Sequence, residues 1–432
     1  VQSAGPFTLE PGAINDITTG IVWARATGGD EFESVQEVRI ADDKAQLLFE
    51  NCFKVVNGPD APDMDYIELE REVVFHISNS TSSNNYLEQY QEKDFAIVNI
   101  DVDGDGVVDN VDKFYRFEGY QVFQFKNATV SVGDIGNINL VREVFQCDLK
   151  NDVDQLVNYT WSEDLNANIP QEMVNGVNEG IQHSFVITED AFALEDKRLV
   201  NHKKYYFAIL AYGYNSYMYY DQNSAASIDG QKLPYKAGRK GATGPIAVYE
   251  VIPHVSDPAE GGTVINADYG EGLEITQHEG FGSGPNIINL SQETIDEIMS
   301  GEPWKVDDRV YTTGFAPIQI KVVDPLNIPE GDFEIRFDPD SALYNDAMTW
   351  DYSIKNGKWY IIQTGGESMF DTIYSDAGIK VRNEQIISQL GLSVSIETQN
   401  YQDSKDDLTG LVDPTMGVLT YSIEWSDVNK SW

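Results

Sequence analysis

Residues 199-LVNHKKYYFAILAYGYN-215 carry apolar side chains two apart from Tyr205 onward, at Phe207, Ile209 and Ala211. That period belongs to a β-strand with one buried face, because successive side chains of a strand point to opposite sides, whereas a helix repeats its apolar positions every three or four residues. Similar short runs recur at 73-VVFHI-77, 120-YQVFQF-125, 318-IQIKVV-323 and 392-LSVSIE-397, separated by Gly, Asn, Asp and Pro. The pattern predicts a mainly β chain of tandem β-sandwich modules with a few short helices.

At 432 residues the chain has room for two or three domains. Proline and glycine cluster at 57-NGPDAPDMD-65 and 253-PHVSDPAEGG-262. These clusters divide the chain into three parts. Residues 1–58 read as the end of a β module plus a connecting amphipathic helix, 59–254 as a central β-sandwich with insertions, and 255–432 as a second β-rich module. Its last residues, 424-EWSDVNKSW-432, read as strand material, so that module is expected to be truncated.

The connecting helix is expected over 34–53, where Ser34 and Glu37 have the spacing of a capping box and Val35, Val38, Ala45, Leu48 and Phe49 fall near one face. A second helix is expected over 291–300, capped by Ser291 and stopped by Gly301, and a third over 383-NEQIISQL-390. In 350-WDYSIKNGKWYII-362, Asn356-Gly357 suits a type I′ turn that would place Ile354 opposite Trp359 and Tyr352 opposite Ile361.

Asp and Glu number 71 against 29 Lys and Arg, a formal net charge of −42. Such a surface repels phosphate backbones and anionic membranes, so no nucleic-acid partner is expected. No run of about 18 apolar residues is present, so no membrane insertion is expected either. Cys52 and Cys147 both lie in apolar stretches. They read either as two buried free thiols or as one disulfide joining a helix to a strand in an oxidising compartment.

Enzymatic signatures are missing. The five histidines (His76, His183, His202, His254, His278) form no HxH or HExxH pair and read as surface or strand residues. There is no G-x-S-x-G elbow. The glycines of 280-GFGSGP-285 lack the lysine of a phosphate loop and read as a tight turn. The expectation is a chain that is not an enzyme.

Two features point to function. In 101-DVDGDGVVDNVD-112, Asp101, Asp103, Asp105, Asp109 and Asp112 occupy positions 1, 3, 5, 9 and 12 of a calcium loop. Val107 supplies the carbonyl of position 7, and Gly106 the turn at position 6. Calcium is a hard cation that takes six to eight oxygens, which this pattern provides. The flanks 95-FAIVNI-100 and 113-KFYRFEGY-120 read as extended chain, so a Ca2+ ion would hold the insertion in shape rather than swing a helix pair. An acidic turn holding no ion is the other reading. The second feature is 212-YGYNSYMYYDQ-222. Its tyrosines Tyr212, Tyr214, Tyr217, Tyr219 and Tyr220 fall at the end of a strand, where loops contact partners. They could equally bury themselves against the next module.

Ordered residues within 59–254 resemble a fibronectin type III domain. Pro59 and Pro62 precede 73-VVFHI-77, then comes 119-GYQVFQ-124 in place of the family's G-Y-x-V strand, and 199–215 resembles its F strand, with Leu199 six residues before Tyr205 as in a tyrosine corner. Ile77 stands where that family usually has Trp, and the insertions are longer. The acidic loop, with Asp at position 12, resembles dockerin and thrombospondin type 3 loops. The order of 7-FTLEPG-12, 44-KAQLLFENCF-53, the type III-like segment, 314-GFAPIQIKVVDP-325 and 391-GLSVSIE-397 resembles large secreted and cell-surface proteins of Bacteroidota that use type IX secretion. The resemblance implies a non-enzymatic, calcium-stabilised structural or adhesive protein, extracellular or on the cell surface, in a filament or matrix. Its partners would be other β modules of the same or neighbouring chains, glycans or surface proteins, and the secretion machinery during export. The alternative is a carbohydrate- or protein-binding accessory region of a secreted hydrolase.

Overall fold

The computed structural model describes residues 8, 10–14, 19–25, 31–102, 107–151, 153–162, 164–165, 167–224, 227, 230–256, 265, 267–272, 277–279, 290–301, 318–338, 358–366, 370–376, 384–396 and 422–425. The chain is mainly β, with two α-helices among the described residues. No described helix is long and apolar enough to cross a membrane.

Helix α1 (Glu31–Glu50) precedes β1 (Asp63–Leu69), β2 (Glu72–Ser78), β3 (Gln91–Lys93), β4 (Phe114–Phe125), β5 (Val141–Asp148), β6 (Gln155–Ser162), β7 (Ala167–Asn175), β8 (Ser184–Ile187), β9 (Tyr205–Tyr214), β10 (Tyr235–Ala237) and β11 (Tyr249–Val251). Strands β1, β2 and β8 form one antiparallel sheet in the order β1-β2-β8. The other sheet is built on β4 and β9, paired from Arg116 opposite Tyr214 to Phe125 opposite Tyr206. Over one half of this pair β5 flanks β4 and β11 flanks β9. Over the other half β3 and β10 take those places.

The two sheets close on one core. Phe75 of β2 lies 5.3 Å from the Phe185 ring of β8 and 5.1 Å from the Phe207 ring of β9. Tyr120, Val122, Ile209 and Ala211 fill the same cluster. The alternate residues of β9, Ala208 and Leu210, are also buried, under Phe123, Phe125, Val130 and Val141. Insertions therefore cover the outer face of β9, which is why 205–212 reads as an almost unbroken apolar run. Tyr205 ties the entry to β9: its hydroxyl accepts the Val200 N–H at 2.9 Å, beside the buried Leu199.

Downstream come β12 (Gln277–Glu279), α2 (Gln292–Met299), β13 (Ile318–Val322), β14 (Asp332–Asp338), β15 (Lys358–Gly365), β16 (Ile373–Tyr374), β17 (Gln385–Ile387), β18 (Leu392–Ile396) and β19 (Ser422–Trp425). Sheets β12-β19-β14-β15-β16 and β13-β18-β17 share a second core that includes Ile320, Val322, Phe333, Ile335, Trp359, Ile361 and Leu392.

Several expectations need correction. Helix α1 starts at Glu31, so Ser34 lies inside it and does not cap it. Val35 and Phe49 remain exposed, while Val38, Ala45 and Leu48 are half-buried, and among the described residues no core cluster includes a residue of α1. Residues 385–387 form β17 rather than a helix. Gly391, at φ +62°, lets the chain turn back into β18, and Ile387 is buried in the second core. The hairpin expected across Asn356-Gly357 is not what pairs β15. Trp359 lies opposite Phe337 of β14 and Ile361 opposite Ile335, while β16 takes the other edge. Tyr352, Ile354, Asn356 and Gly357 lie outside the described residues. The disulfide is absent: both cysteines are free thiols, Cys52 exposed just after α1 and Cys147 buried. The Cys147 thiol donates to the Gln182 carbonyl at 3.6 Å, and burial pushes its pKa up to about 12. Helix α2 follows its expected caps, with the Ser291 hydroxyl accepting the Thr294 N–H at 3.2 Å.

Gly119 sits at a register shift in β4, where a Cβ would come within 2.3 Å of the Cys147 carbonyl oxygen and 2.6 Å of the Tyr212 hydroxyl. Gly119→Ala is therefore expected to destabilise the protein by about 1–3 kcal/mol. A lowered urea midpoint at unchanged slope would show it, and an unchanged midpoint would contradict this packing.

Candidate metal centre and tyrosine loop

Antiparallel neighbours bring the start of one strand beside the end of the other. The segment entering β4 is the acidic loop, and the segment leaving β9 is the tyrosine run, so Arg116 opposite Tyr214 sets the two side by side. Asn215, the residue after β9, joins them. Its side-chain amide donates to the carbonyl oxygens of Asp112 at 3.1 Å and Phe114 at 2.8 Å. Its side-chain oxygen accepts from Gln231 at 3.0 Å. Asn215 is buried, so these bonds are made away from competing water.

The acidic loop closes on itself. Ile100 and Asp109 form an antiparallel bridge, with the Asp109 N–H donating to the Ile100 carbonyl at 2.8 Å. One Asp109 carboxylate oxygen accepts the Val102 N–H at 2.9 Å. Asp112 accepts the Phe114 N–H at 3.0 Å and an Arg116 guanidinium N–H at 2.5 Å. Burial pushes the Asp112 pKa up, but Arg116 and the Phe114 N–H outweigh it and hold the carboxyl below its usual range.

Of the expected calcium ligands, Asp101, Val107, Asp109 and Asp112 are described, whereas Asp103 and Asp105 lie outside the described residues. Among the described residues no three His, Cys, Asp or Glu side chains converge as a metal cluster. The described donors fit a hard cation in two respects. They are all oxygens, and the Ile100–Asp109 bridge brings the loop's two arms together. Asp112 fits less well, because Arg116 already holds it and would compete with an ion for the same oxygens.

The tyrosines divide. Tyr212 is buried, its hydroxyl accepting the Gln146 amide N–H at 3.0 Å. Tyr220 is buried as well, its hydroxyl accepting from Asn168 at 2.5 Å and its ring edge-on to Tyr159 at 4.8 Å. Tyr214 is half-buried at the end of β9. Only Tyr217 and Tyr219 of the run bear on an open surface. Tyr219 is 72% exposed. Tyr217 lines an open cleft of about 480 Å³ with Ser216, Val102, Asn110 and the acids Asp109 and Asp112. The turn 280–285 lies outside the described residues. His183, expected as a surface or strand residue, directly precedes β8 and is mostly buried against Glu88. The sequence offered one cue to Asn215, an Asn directly after a strand. Nothing in the spacing marked Arg116 as the partner of Asp112.

No family model, curated protein or solved structure matches the chain.

Asn215→Ala removes a buried amide and strands two carbonyls at the junction of the loops. The expected cost is about 1–3 kcal/mol in urea unfolding. Wild-type stability in that variant would show that Asn215 does not join them.

Proposed function

We propose that the chain is a non-enzymatic, calcium-stabilised structural or adhesive protein of the bacterial cell surface or extracellular space. The observation that carries this reading is the closed acidic loop, clipped through Asn215 to the end of the β4–β9 pair. Asp101, Asp103, Asp105, Asp109 and Asp112 would hold the ion with the Val107 carbonyl. A bound Ca2+ supplies positive charge that offsets the mutual repulsion of these carboxylates. The chain's own part is to fix the loop's ends by the Ile100–Asp109 bridge and the Asn215 clip, so that ordering the loop orders the start of β4 and the end of β9.

A fibronectin type III-like module is supported by the three-stranded sheet β1-β2-β8 facing β5-β4-β9-β11, and by the bond from Val200 to the Tyr205 hydroxyl. Export by the type IX route is favoured by the arrangement of segments along the sequence, and a calcium-replete exterior suits the loop. The acidic shell would keep such modules from associating nonspecifically. The accessory-region alternative is favoured by the cleft at Tyr217 and the exposed Tyr219, an aromatic surface suited to a glycan or protein partner.

Thermal melts in EGTA and in millimolar calcium, with bound metal quantified, test the proposal. About one calcium per chain is expected, and calcium at about 100 times its Kd stabilises by about 2.7 kcal/mol. Asp101→Asn combined with Asp105→Asn should abolish the shift. Arg116→Gln should tighten calcium binding by releasing Asp112. No bound metal and identical melts would overturn the reading.

A further inference from the structure

Glu384 is where the second module reaches into the first. One carboxylate oxygen accepts the backbone N–H groups of His183 and Ser184, each at 2.8 Å. The other accepts the hydroxyls of Ser184 at 2.7 Å and Ser393 at 2.5 Å, and pairs with the Lys321 ammonium at 2.9 Å. The Tyr269 hydroxyl stands 3.2 Å from both Lys321 Nζ and Ser184 Oγ. A neighbouring contact, His76 Nε2 to the Val323 carbonyl at 3.0 Å, joins the same two modules.

His183 lies inside this junction. Its Nδ1 meets the Glu384 backbone carbonyl, and its Nε2 meets the Glu88 carboxylate. A carbonyl and a carboxylate only accept, so both ring nitrogens must carry protons and the ring must be cationic. Glu88 is fixed in turn: the Tyr120 hydroxyl donates to it at 3.1 Å while accepting from Asn79 at 2.6 Å. Leu87 and Glu88 both sit in the left-handed backbone region, at φ 54° and 55°, which is costly for residues with a Cβ. The backbone is held there with the carboxylate aimed at His183. The groups facing the ring and its partners are thus Glu88, Tyr120, Lys321, Tyr269 and Glu384, with the buried Cys147 thiol near Glu88. With His183 cationic, two cations balance two carboxylates. With His183 neutral, a mostly buried site keeps an unbalanced negative charge, which is costly.

We propose that this junction is a proton-controlled latch, in which doubly protonated His183 ties Glu88 of the first module to Glu384 of the second and releases it on deprotonation. Burial pushes the His183 pKa down, but Glu88 and Glu384 raise it further, to about 9. A raised folded value means the latch's contribution is whole below the ordinary histidine value of about 6.5 and fades as pH rises through about 9. Burial pushes the Glu384 carboxyl up, yet Lys321 and the serine hydroxyls hold it below its usual range. Its contribution is therefore present above the ordinary glutamate value and is lost on acidification. The latch is closed between these limits and is independent of the calcium reading.

Small-angle scattering of the full chain across pH 6–10, with far-UV circular dichroism in parallel, tests it. The expected result is a radius of gyration constant near neutrality that rises with a midpoint near pH 9 while the dichroism holds. Glu88→Gln removes the ring's carboxylate partner and should lower that midpoint by about one pH unit or more. A radius unchanged to pH 10, a midpoint that Glu88→Gln leaves in place, or loss of dichroism in the same step would each overturn the latch. Should the variant not fold, the wild-type profile alone decides between these results.

Discussion

From Arg116 opposite Tyr214 to Phe125 opposite Tyr206, β4 and β9 run antiparallel through the middle of the first module. Nearly every other feature of that module hangs on this pairing. Both strands are long and buried, so one half of the pair serves as the floor of the sandwich under Phe75 and Phe185. The other half extends beyond it and receives β3 and β10. The register also decides what meets at the far end, where Asp112 and Asn215 become neighbours although 103 residues separate them along the chain. A one-residue slip would turn the core side chains of β9 outward and pull the two loops out of reach.

The strands were legible because their period was. The runs at 73–77, 120–125, 205–212 and 318–323, and the described part of 392–397, fall in or along strands. Period tells which face is buried but not which strand lies alongside. That is why Trp359 was read against Ile354 when the longer partner β14, more than twenty residues upstream, holds that edge. The run 383–390 failed for another reason: eight residues with scattered apolar positions fit a helix or a short strand equally, and Gly391 settled it by allowing a tight reversal. The spacing of Ser34 and Glu37 matched a cap, but α1 already includes Glu31, three residues ahead of Ser34.

The candidate site was half legible. The ligand spacing and the tyrosine run are sequence features, but their meeting is a consequence of topology. Which tyrosines face out follows from hydrogen bonds to Gln146 and Asn168 that no local pattern announces. The contacts of His183 left no mark in the local sequence, because its partners Glu88 and Glu384 are 95 and 201 residues away.

With a net charge of −42, the folded chain works against its own repulsion. Its buried acids show how this is contained. Asp190 is held by Lys203 at 2.7 Å and Gln124 at 2.8 Å, Glu384 by Lys321, and Glu118 by the Asn151 amide. Among the described residues no cation hydrogen-bonds to Glu118, and burial raises its pKa to about 7. The acidic loop concentrates the same problem, and the proposed divalent ion would offset it. Amide hydrogen exchange of the full chain, in EGTA and with calcium, tests that most directly. The account predicts slowed exchange over 100–117 and 212–217 on adding calcium, with β13 and β18 unchanged. Identical exchange in those segments, or a change confined to the second module, would contradict it.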